Sequence, residues 1–373
     1  MESLRVQSSG PTLWNILYND LLLMDQPIGV KLIGFADDVA MVVTAKSEET
    51  LMNIANTGLR RISNWMNERL LHLAPQKTEA VILTKKRKMH QLRFTVMETV
   101  VIPSPSIRYL GVHLDTKLTF SEHLKNTINK AEKTMKALSA VMPNIGGPRS
   151  SKRKLLASVV QSQILYAAPI WHTAMEKPKL KQRLLSLQRL CLIRVCSAYR
   201  SISTEAVGVI AGIPPIHLLV KENTAKYGGI SKVEARRHLM ETWQREWENT
   251  TKGRWTYLLI PNIEAWVNRK HGEVDYYLTQ ALSGHGCFRK YLFDRRRAEN
   301  PACPYCGMVD DAAHTLFECK QWEENRRTFE TASGMNFNFT NMMSQLLTSE
   351  ETWENAYRTI RGILETKEIQ DRM

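Results

Sequence analysis

"KLIGFADDVAMVV", residues 31 to 43, sets two adjacent carboxylates, Asp37 and Asp38, in the middle of an apolar run. Leu32, Ile33, Phe35, Val39, Met41, Val42 and Val43 ask for a dry sheet. A carboxylate taken out of water without a partner is costly, and a second one beside it adds like-charge repulsion. A positive group is therefore expected there. One reading is a hairpin whose turn happens to use Asp. A tight two-residue turn, however, favours Asn-Gly or Asp-Gly, and no glycine follows. The other reading is a strand, turn and strand that present carboxylates to Mg²⁺, a hard cation that takes oxygen ligands and brings substrate phosphates with it. Local physics leaves both open.

The surroundings of this run read as mixed α/β. Residues 11 to 24, "PTLWNILYNDLLLM", have helical apolar spacing with Pro11 in the first turn. Ser47 followed by Glu48 and Glu49 predicts a capped helix. Its Leu51, Ile54, Ala55, Leu59, Ile62, Trp65 and Met66 share one face, which should pack on a sheet. "EAVILT" (79–84), "LRFTVM" (92–97) and "IRYLGVHLD" (107–115) each read as a strand.

The whole chain has 373 residues, enough for two or more domains. Its hydrophobic content of 43% argues for a folded protein, and its formal charge of +14 for a polyanionic partner. No apolar stretch approaches the roughly 18 to 20 residues that a bilayer requires. The polar start "MESLRVQSSGPTLWN" has no signal-peptide core. Nucleic acid rather than membrane is the expected partner. Cys191, Cys196 and Cys287 are scattered in apolar, helix-like surroundings and read as buried thiols.

Beyond Asp115 the pattern turns helical. Lys125, Lys130, Lys133 and Lys136 fall within about 140° of a helical wheel, with Leu124, Ile128, Ala131, Met135 and Leu138 within about 80° opposite. One face suits a core and the other anions or water. "PNIGGPRSSKRK" (143–154) is a break and a basic helix start, and further helices are expected at 178–199, 214–240 and after the glycine-rich turn in 284–292. Between Lys77 and Arg93 six Lys or Arg face one acid, Glu79, and "KKRK" (85–88) reads as a loop between strands. Arg295, Arg296 and Arg297 form a second basic cluster.

Immediately after those arginines, "CPYCGMVDDAAHTLFEC" places Cys303, Cys306, His314 and Cys319 at Cys-x2-Cys-x7-His-x4-Cys. Three thiolates and an imidazole suit a tetrahedral Zn²⁺, and four protein ligands leave no position for a reacting water. The site is expected to be structural, with the metal supplying much of the local folding energy. The adjoining arginines and Lys320 make a nucleic-acid contact plausible. His285, between Gly284 and Gly286, has no nucleophile nearby in sequence and reads as structural.

The order of these pieces resembles the reverse transcriptases of non-LTR (LINE-type) retrotransposons. "GFADDVAMVV" resembles their catalytic Asp-Asp motif, and "APQKTEAVILT" with "IRYLGVHLD" is similar to the palm segments that follow it. "AYRSISTEAVGVIAGIPPIHLL", "GRWTYLLIP", "YLTQALSGHGCFRKYL" and the Cys/His cluster resemble the carboxy-terminal region of arthropod elements that insert into ribosomal RNA genes. The resemblance implies a direct Mg²⁺ ligand at Asp37, a less direct one at Asp38, a proton donor to leaving pyrophosphate at Lys77, and a primer grip at Tyr109, Leu110 and Gly111. It makes Phe35 and Ala36 the floor of the site, and implies nucleic-acid contacts at Lys125, Lys133, Lys136 and Arg295 to Arg297.

The implied fold is α+β: a partial palm (1–115), a thumb-like helical region (116–200), a helical linker (201–300), and a zinc knuckle with helical tail (301–373). The implied activity is RNA-directed DNA polymerisation in target-primed reverse transcription, on an RNA template with a DNA primer and nucleoside triphosphates, inside a polyprotein that also carries an endonuclease. Such a protein is made in the cytoplasm and acts in the nucleus. The sequence departs from the family in lacking the earlier strand with its further aspartate, the finger segments, and the Pro-Gln-Gly that opens the motif at its start. It is expected to be the carboxy-terminal part of a polymerase, inactive alone. Its knuckle spacing is longer before the histidine than the retroviral kind. The competing expectation is a zinc-knuckle nucleic-acid-binding protein that keeps a dead palm as scaffold.

Overall fold

A computed structural model describes residues 10–86 and 90–371. It divides the chain into two compact units, Met1–Glu122 and His123–Met373. In the first unit, α1 (Gly10–Leu23) leads into the antiparallel pair β1 (Val30–Phe35) and β2 (Asp38–Val43), followed by α2 (Glu48–Glu68). Two more hairpins follow, β3 (Phe94–Val96) with β4 (Thr99–Val101), and β5 (Ser106–Tyr109) with β6 (Val112–Asp115). The side chain of Ser47 caps α2 by accepting from the Thr50 amide at 3.1 Å. The helix buries Ala55, Ile62, Trp65 and Met66, and Tyr18 and Leu21 of α1 share its core with Ile62, Trp65 and Met66. Met41 of β2 packs against that core and against a second one built from Ala55, Leu92, Phe94, Val96 and Val101.

Three strand expectations need correction. Residues 79–84 form no strand, although the Thr84 amide donates to the Thr116 carbonyl and the Ser104 amide to that of Ala80. The stretch 92–97 narrows to the three residues of β3. The stretch 107–115 is a hairpin rather than one strand, because Leu110 and Gly111 both take positive φ, 45° and 83°, the conformation of a two-residue primed turn. Of the expected "KKRK" loop, Arg87 and Lys88 lie outside the described residues.

The second unit is helical apart from short turns and an isolated bridge. It begins within α3 (Ser121–Ala140), which buries Leu124, Ile128, Ala131 and Met135. Lys125, Lys130, Lys133 and Lys136 are exposed on the other side. In α4 (Ser150–Leu165), Arg153 is buried rather than part of a basic surface. Its guanidinium donates to the carbonyls of Pro148 (2.6 Å), Arg194 (2.9 Å) and Pro143 (2.5 Å), and so closes the break before the helix.

The expected helix over 214–240 is two helices, Ile216–Tyr227 and Lys232–Asn249, parted at Gly228 and Gly229, the latter at φ +96°. Trp171, Trp247, Trp266 and Trp353 are fully buried in this unit. The Cys/His segment joins the same unit: Cys303, Cys319 and Trp322 pack on Ile363 of the helix Glu350–Gln370. Among the described residues no single helix is long and apolar enough to cross a membrane. The bent pair Thr204–Ala211 and Ile216–Tyr227 has the length and composition only in combination, and the first of the two is buried from Ala206 to Ala211.

Candidate functional sites

The Asp-Asp hairpin turns in two residues. Phe35 pairs with Asp38, which leaves Ala36 and Asp37 as the loop, with Ala36 at φ +53°. A non-glycine residue in the left-handed region costs roughly 1 to 3 kcal/mol and persists only where its surroundings hold it. Here the Trp14 indole of α1 donates to the Ala36 carbonyl at 2.9 Å. Trp14 stacks on Tyr18 at 5.3 Å, one helical turn on. The Tyr18 ring lies so close to Gly34 that a Cβ there would come within 2.4 Å of its Cε1. The missing glycine of the turn is thus replaced by a clamp from α1, and the glycine of "GFADD" serves to admit an aromatic ring.

The expectation of a dry sheet does not hold. Asp37 and Asp38 are both exposed, and so are Ile33, Phe35 and Val42. Only the alternate residues Leu32, Val39 and Met41 face the core shared by α1 and α2. Burial of the acids therefore cannot be what demands a counter-ion. The negative field is felt instead by Tyr18, 5% exposed, whose hydroxyl is pushed up to about 12 by its burial and then by Asp38 and Asp37.

Tyr109, at the end of β5, adds a smaller contribution of the same sign to Tyr18. It is thereby near Tyr18, in the strand that leads into the Leu110–Gly111 turn. Lys77, in the short 3-10 turn Pro75–Lys77, is exposed and has no described contact with Asp37 or Asp38. Among the described residues the two acids are joined by no third metal-ligating side chain. Two carboxylates on a rigid hairpin nonetheless fit Mg²⁺, which commonly takes one or two from protein and the rest from water and substrate phosphates.

The second site is closed. Cys303, Cys306, His314 and Cys319 place their ligand atoms within 4.8 Å of one another. The Sγ atoms of Cys303 and Cys319 are 3.8 Å apart, and Cys306 Sγ is 3.2 Å from His314 Nε2. A tetrahedron with metal–sulfur bonds of about 2.3 Å has edges of about 3.8 Å, so the donors fit a zinc-sized ion. The first two come from a hairpin in which the Cys303 amide donates to Met308 (2.7 Å) and Gly307 turns at φ +74°. The other two are joined by a π-turn, His314–Glu318, closed by the Cys319 amide on the His314 carbonyl at 2.8 Å. This wide turn lets residues five apart face the same point.

Asp310 lies inside the cluster's loop and is fully buried, paired with Lys367 of the carboxy-terminal helix at 2.8 Å. It also accepts from Thr315 Oγ1 (2.5 Å) and the Arg289 amide (2.9 Å). Burial alone would pull the Lys367 ammonium down, and Asp310 overcomes it and raises it. Arg295, Arg296 and Arg297 are exposed just before the knuckle, with Arg296 at φ +57° where the helix Arg289–Asp294 ends.

His285 is held against Ser201 (3.0 Å) and stacked on Tyr291 at 4.8 Å. Burial lowers it to about 4, so it stays neutral at pH 7, as a structural histidine would. The Cys191 and Cys196 thiols are each pushed up to about 12 by burial, and Cys287 higher still.

Residues 8–114 match the family described as reverse transcriptase (RNA-dependent DNA polymerase). The first unit carries a reverse transcriptase segment. The Asp37–Asp38 hairpin, the α1 clamp and the Leu110–Gly111 turn all fall within it. Over 96% of its length the chain is 24% identical to a retrovirus-related Pol polyprotein from the type-1 retrotransposable element R1 2 of Nasonia vitripennis, covering 95% of that relative. It is 26% identical, over 85% of its length, to the putative 115 kDa protein of the type-1 retrotransposable element R1DM of Drosophila melanogaster, of which it spans a third. Half of the chain is 26% identical to a probable RNA-directed DNA polymerase from transposon BS of the same fly, covering 22% of it. No solved structure matches the chain. The chain is thus related along nearly its whole length to R1-type Pol polyproteins, and its reverse transcriptase segment is the part that the family match defines.

Proposed function

We propose that the chain supplies the carboxy-terminal palm, a helical thumb and linker, and a metal-stapled knuckle to an R1-type retrotransposon Pol polyprotein with RNA-directed DNA polymerase activity. The observation that carries this is a rigid, clamped hairpin presenting Asp37 and Asp38 to solvent inside a reverse transcriptase segment. Mg²⁺ held there would stabilise the attacking and leaving oxygens of nucleotidyl transfer. The chain's own contribution is to fix both carboxylates at a turn braced by Trp14 and Tyr18, open to a primer end and an incoming nucleotide.

Tyr109, Leu110 and Gly111 are assigned to hold the primer near that turn, and Lys77 to donate a proton to pyrophosphate, which requires it to move toward the acids. Lys125, Lys133, Lys136 and Arg295 to Arg297 are assigned to the nucleic-acid backbone, and Zn²⁺ to the Cys303, Cys306, His314 and Cys319 cluster as a structural ion. RNA template, DNA primer or target and nucleoside triphosphates are the corresponding partners, and the nucleus the site of action. Support comes from the relatives' names, the +14 charge and the exposed lysine face of α3.

The test is primer extension on an RNA template by the complete polymerase, with the further palm aspartate and the fingers supplied. Mg²⁺-dependent extension that Asp37→Asn abolishes is expected. Extension that survives the substitution rejects the assignment, and nucleic-acid binding without extension in the complete enzyme favours the scaffold reading.

A further inference from the structure

A metal held by Cys303, Cys306, His314 and Cys319 would not be neutral with its ligands. Three thiolates and an uncharged imidazole around a divalent ion leave one net negative charge. That charge would lie in a dry place, since Cys303 and Cys319 are 4% and 1% exposed and pack with Trp322 and Ile363. A buried charge persists only where a partner or hydrogen bonds offset it.

One buried cation adjoins the cluster. Arg326, 8% exposed on the helix Glu323–Ser333, folds back over seven residues so that its Nη2 donates to the carbonyl of Cys319 at 2.7 Å. That is its one hydrogen bond among the described residues, and its Nη1 is buried with no partner. No carboxylate pairs with it among those residues: Glu323 is bound to Arg327 at 2.7 Å, and Glu330 accepts from the Phe337 amide at 3.3 Å. The other buried cations of this unit are matched. Lys367 has Asp310 at 2.8 Å, and Arg153 donates to carbonyls from all three guanidinium nitrogens. A guanidinium that lacks an anion and a metal shell that lacks a cation thus meet at one ligand, Cys319.

We propose that Arg326 is a positioning residue for the Cys/His site, fixing the Cys319 backbone through its carbonyl and supplying the counter-charge of the metal–thiolate shell. Its unpartnered Nη1 is the donor left for that shell. Outer-shell partners of metal ligands typically contribute 10- to 100-fold to affinity. The inference rests on the structural-ion role proposed above for the four ligands.

The test is a Zn²⁺ titration of the full chain against a chromophoric chelator, comparing wild type, Arg326→Met, Arg326→Lys and Cys319→Ser. The same chains are then loaded with Co²⁺ and their thiolate-to-cobalt charge-transfer bands recorded. A cation outside the shell lies closer to sulfur than to the metal and lowers the sulfur donor levels, so its loss moves the band to longer wavelength. Arg326→Met should weaken Zn²⁺ binding by about tenfold or more and shift the band, with the tetrahedral d–d bands retained. Arg326→Lys, which keeps the charge, should stay near wild type in both. Unchanged affinity in Arg326→Met overturns the inference and leaves the zinc role standing. A loss of affinity with the band in place also overturns it, because the arginine would then only be tying down the turn, and so does a band that Arg326→Lys moves as far as Arg326→Met. Wild type and Cys319→Ser binding Zn²⁺ alike would remove the zinc role and this inference together.

Discussion

The Asp37–Asp38 hairpin and the Cys303–Cys319 loop both gather side chains of metal-ligating type, and they differ in what those side chains lose on leaving water. The knuckle brings four soft or borderline donors together, three of them buried, in a shell with no opening. The hairpin exposes two hard donors at a turn and adds no third from the described residues. A closed set of thiolates and imidazole makes the ion part of the fold, because thiolates so close together repel one another until a cation joins them. An open pair of carboxylates leaves most of the coordination sphere to water and phosphate, which is what a reaction needs. Rigidity would come from different sources as well: from an ion held by the Cys/His cluster, and from the aromatic clamp of α1 at the hairpin.

If that contrast is right, chelating zinc should have the largest effect. Apparent binding energies of about 10–16 kcal/mol for structural zinc imply that residues 301–322 unfold when the ion is removed. Hydrogen exchange should show protection lost there and retained in α2. Protection that persists in the knuckle after chelation would make the cluster an ordinary hydrophobic core with adventitious thiols.

Lys367→Met comes next. It leaves Asp310 buried and unpaired, at a cost of about 3–5 kcal/mol in urea unfolding. The raised pKa of Lys367 makes the pair's stabilisation fully present below the unfolded lysine value of about 10.4, and lost as pH rises through the higher folded value. The wild-type advantage over the variant should accordingly be flat from neutral pH to about 10 and shrink only above it.

At the hairpin the effects are smaller. Gly34→Ala drives a methyl to within 2.4 Å of the Tyr18 ring and should destabilise the first unit by about 1–3 kcal/mol, read by unfolding followed through tryptophan fluorescence. Ala36→Gly relieves the left-handed alanine and should stabilise by about 1 kcal/mol or less. A loss instead would mean that the extra freedom glycine gives the unfolded chain outweighs the relief at the left-handed φ.

These two sites were unequally legible in the sequence. That Cys303, Cys306, His314 and Cys319 come together was readable because the four stand at a fixed spacing, and the π-turn between His314 and Cys319 only refines it. The helix α2 was readable from its Ser47 cap and its apolar face. The hairpin's existence was readable, but its exposure was not: an apolar run looks the same whether or not something covers it, and Ile33, Phe35 and Val42 are uncovered here. The turn at Ala36 was hidden because glycine is the usual signal for positive φ, and a hydrogen bond from 22 residues upstream does its work. Leu110–Gly111 gave half of that signal, a glycine in only the second position, and was read through as strand. Trp14 and Tyr18 looked like part of an ordinary apolar helix. Their i,i+4 spacing beside a glycine four residues before Asp38 was the available hint. The Asp310–Lys367 pair, 57 residues apart, had no local signature at all.

The most direct test of a closed structural site and an open reactive one in a single chain is anomalous X-ray scattering from crystals grown with Zn²⁺ and Mn²⁺. The expected result is a zinc-edge peak enclosed by Cys303, Cys306, His314 and Cys319, and a separate manganese peak beside Asp37 and Asp38 that is absent from Asp37→Asn crystals. Crystals with no manganese at the hairpin, or with the hairpin peak unchanged in Asp37→Asn, would contradict it.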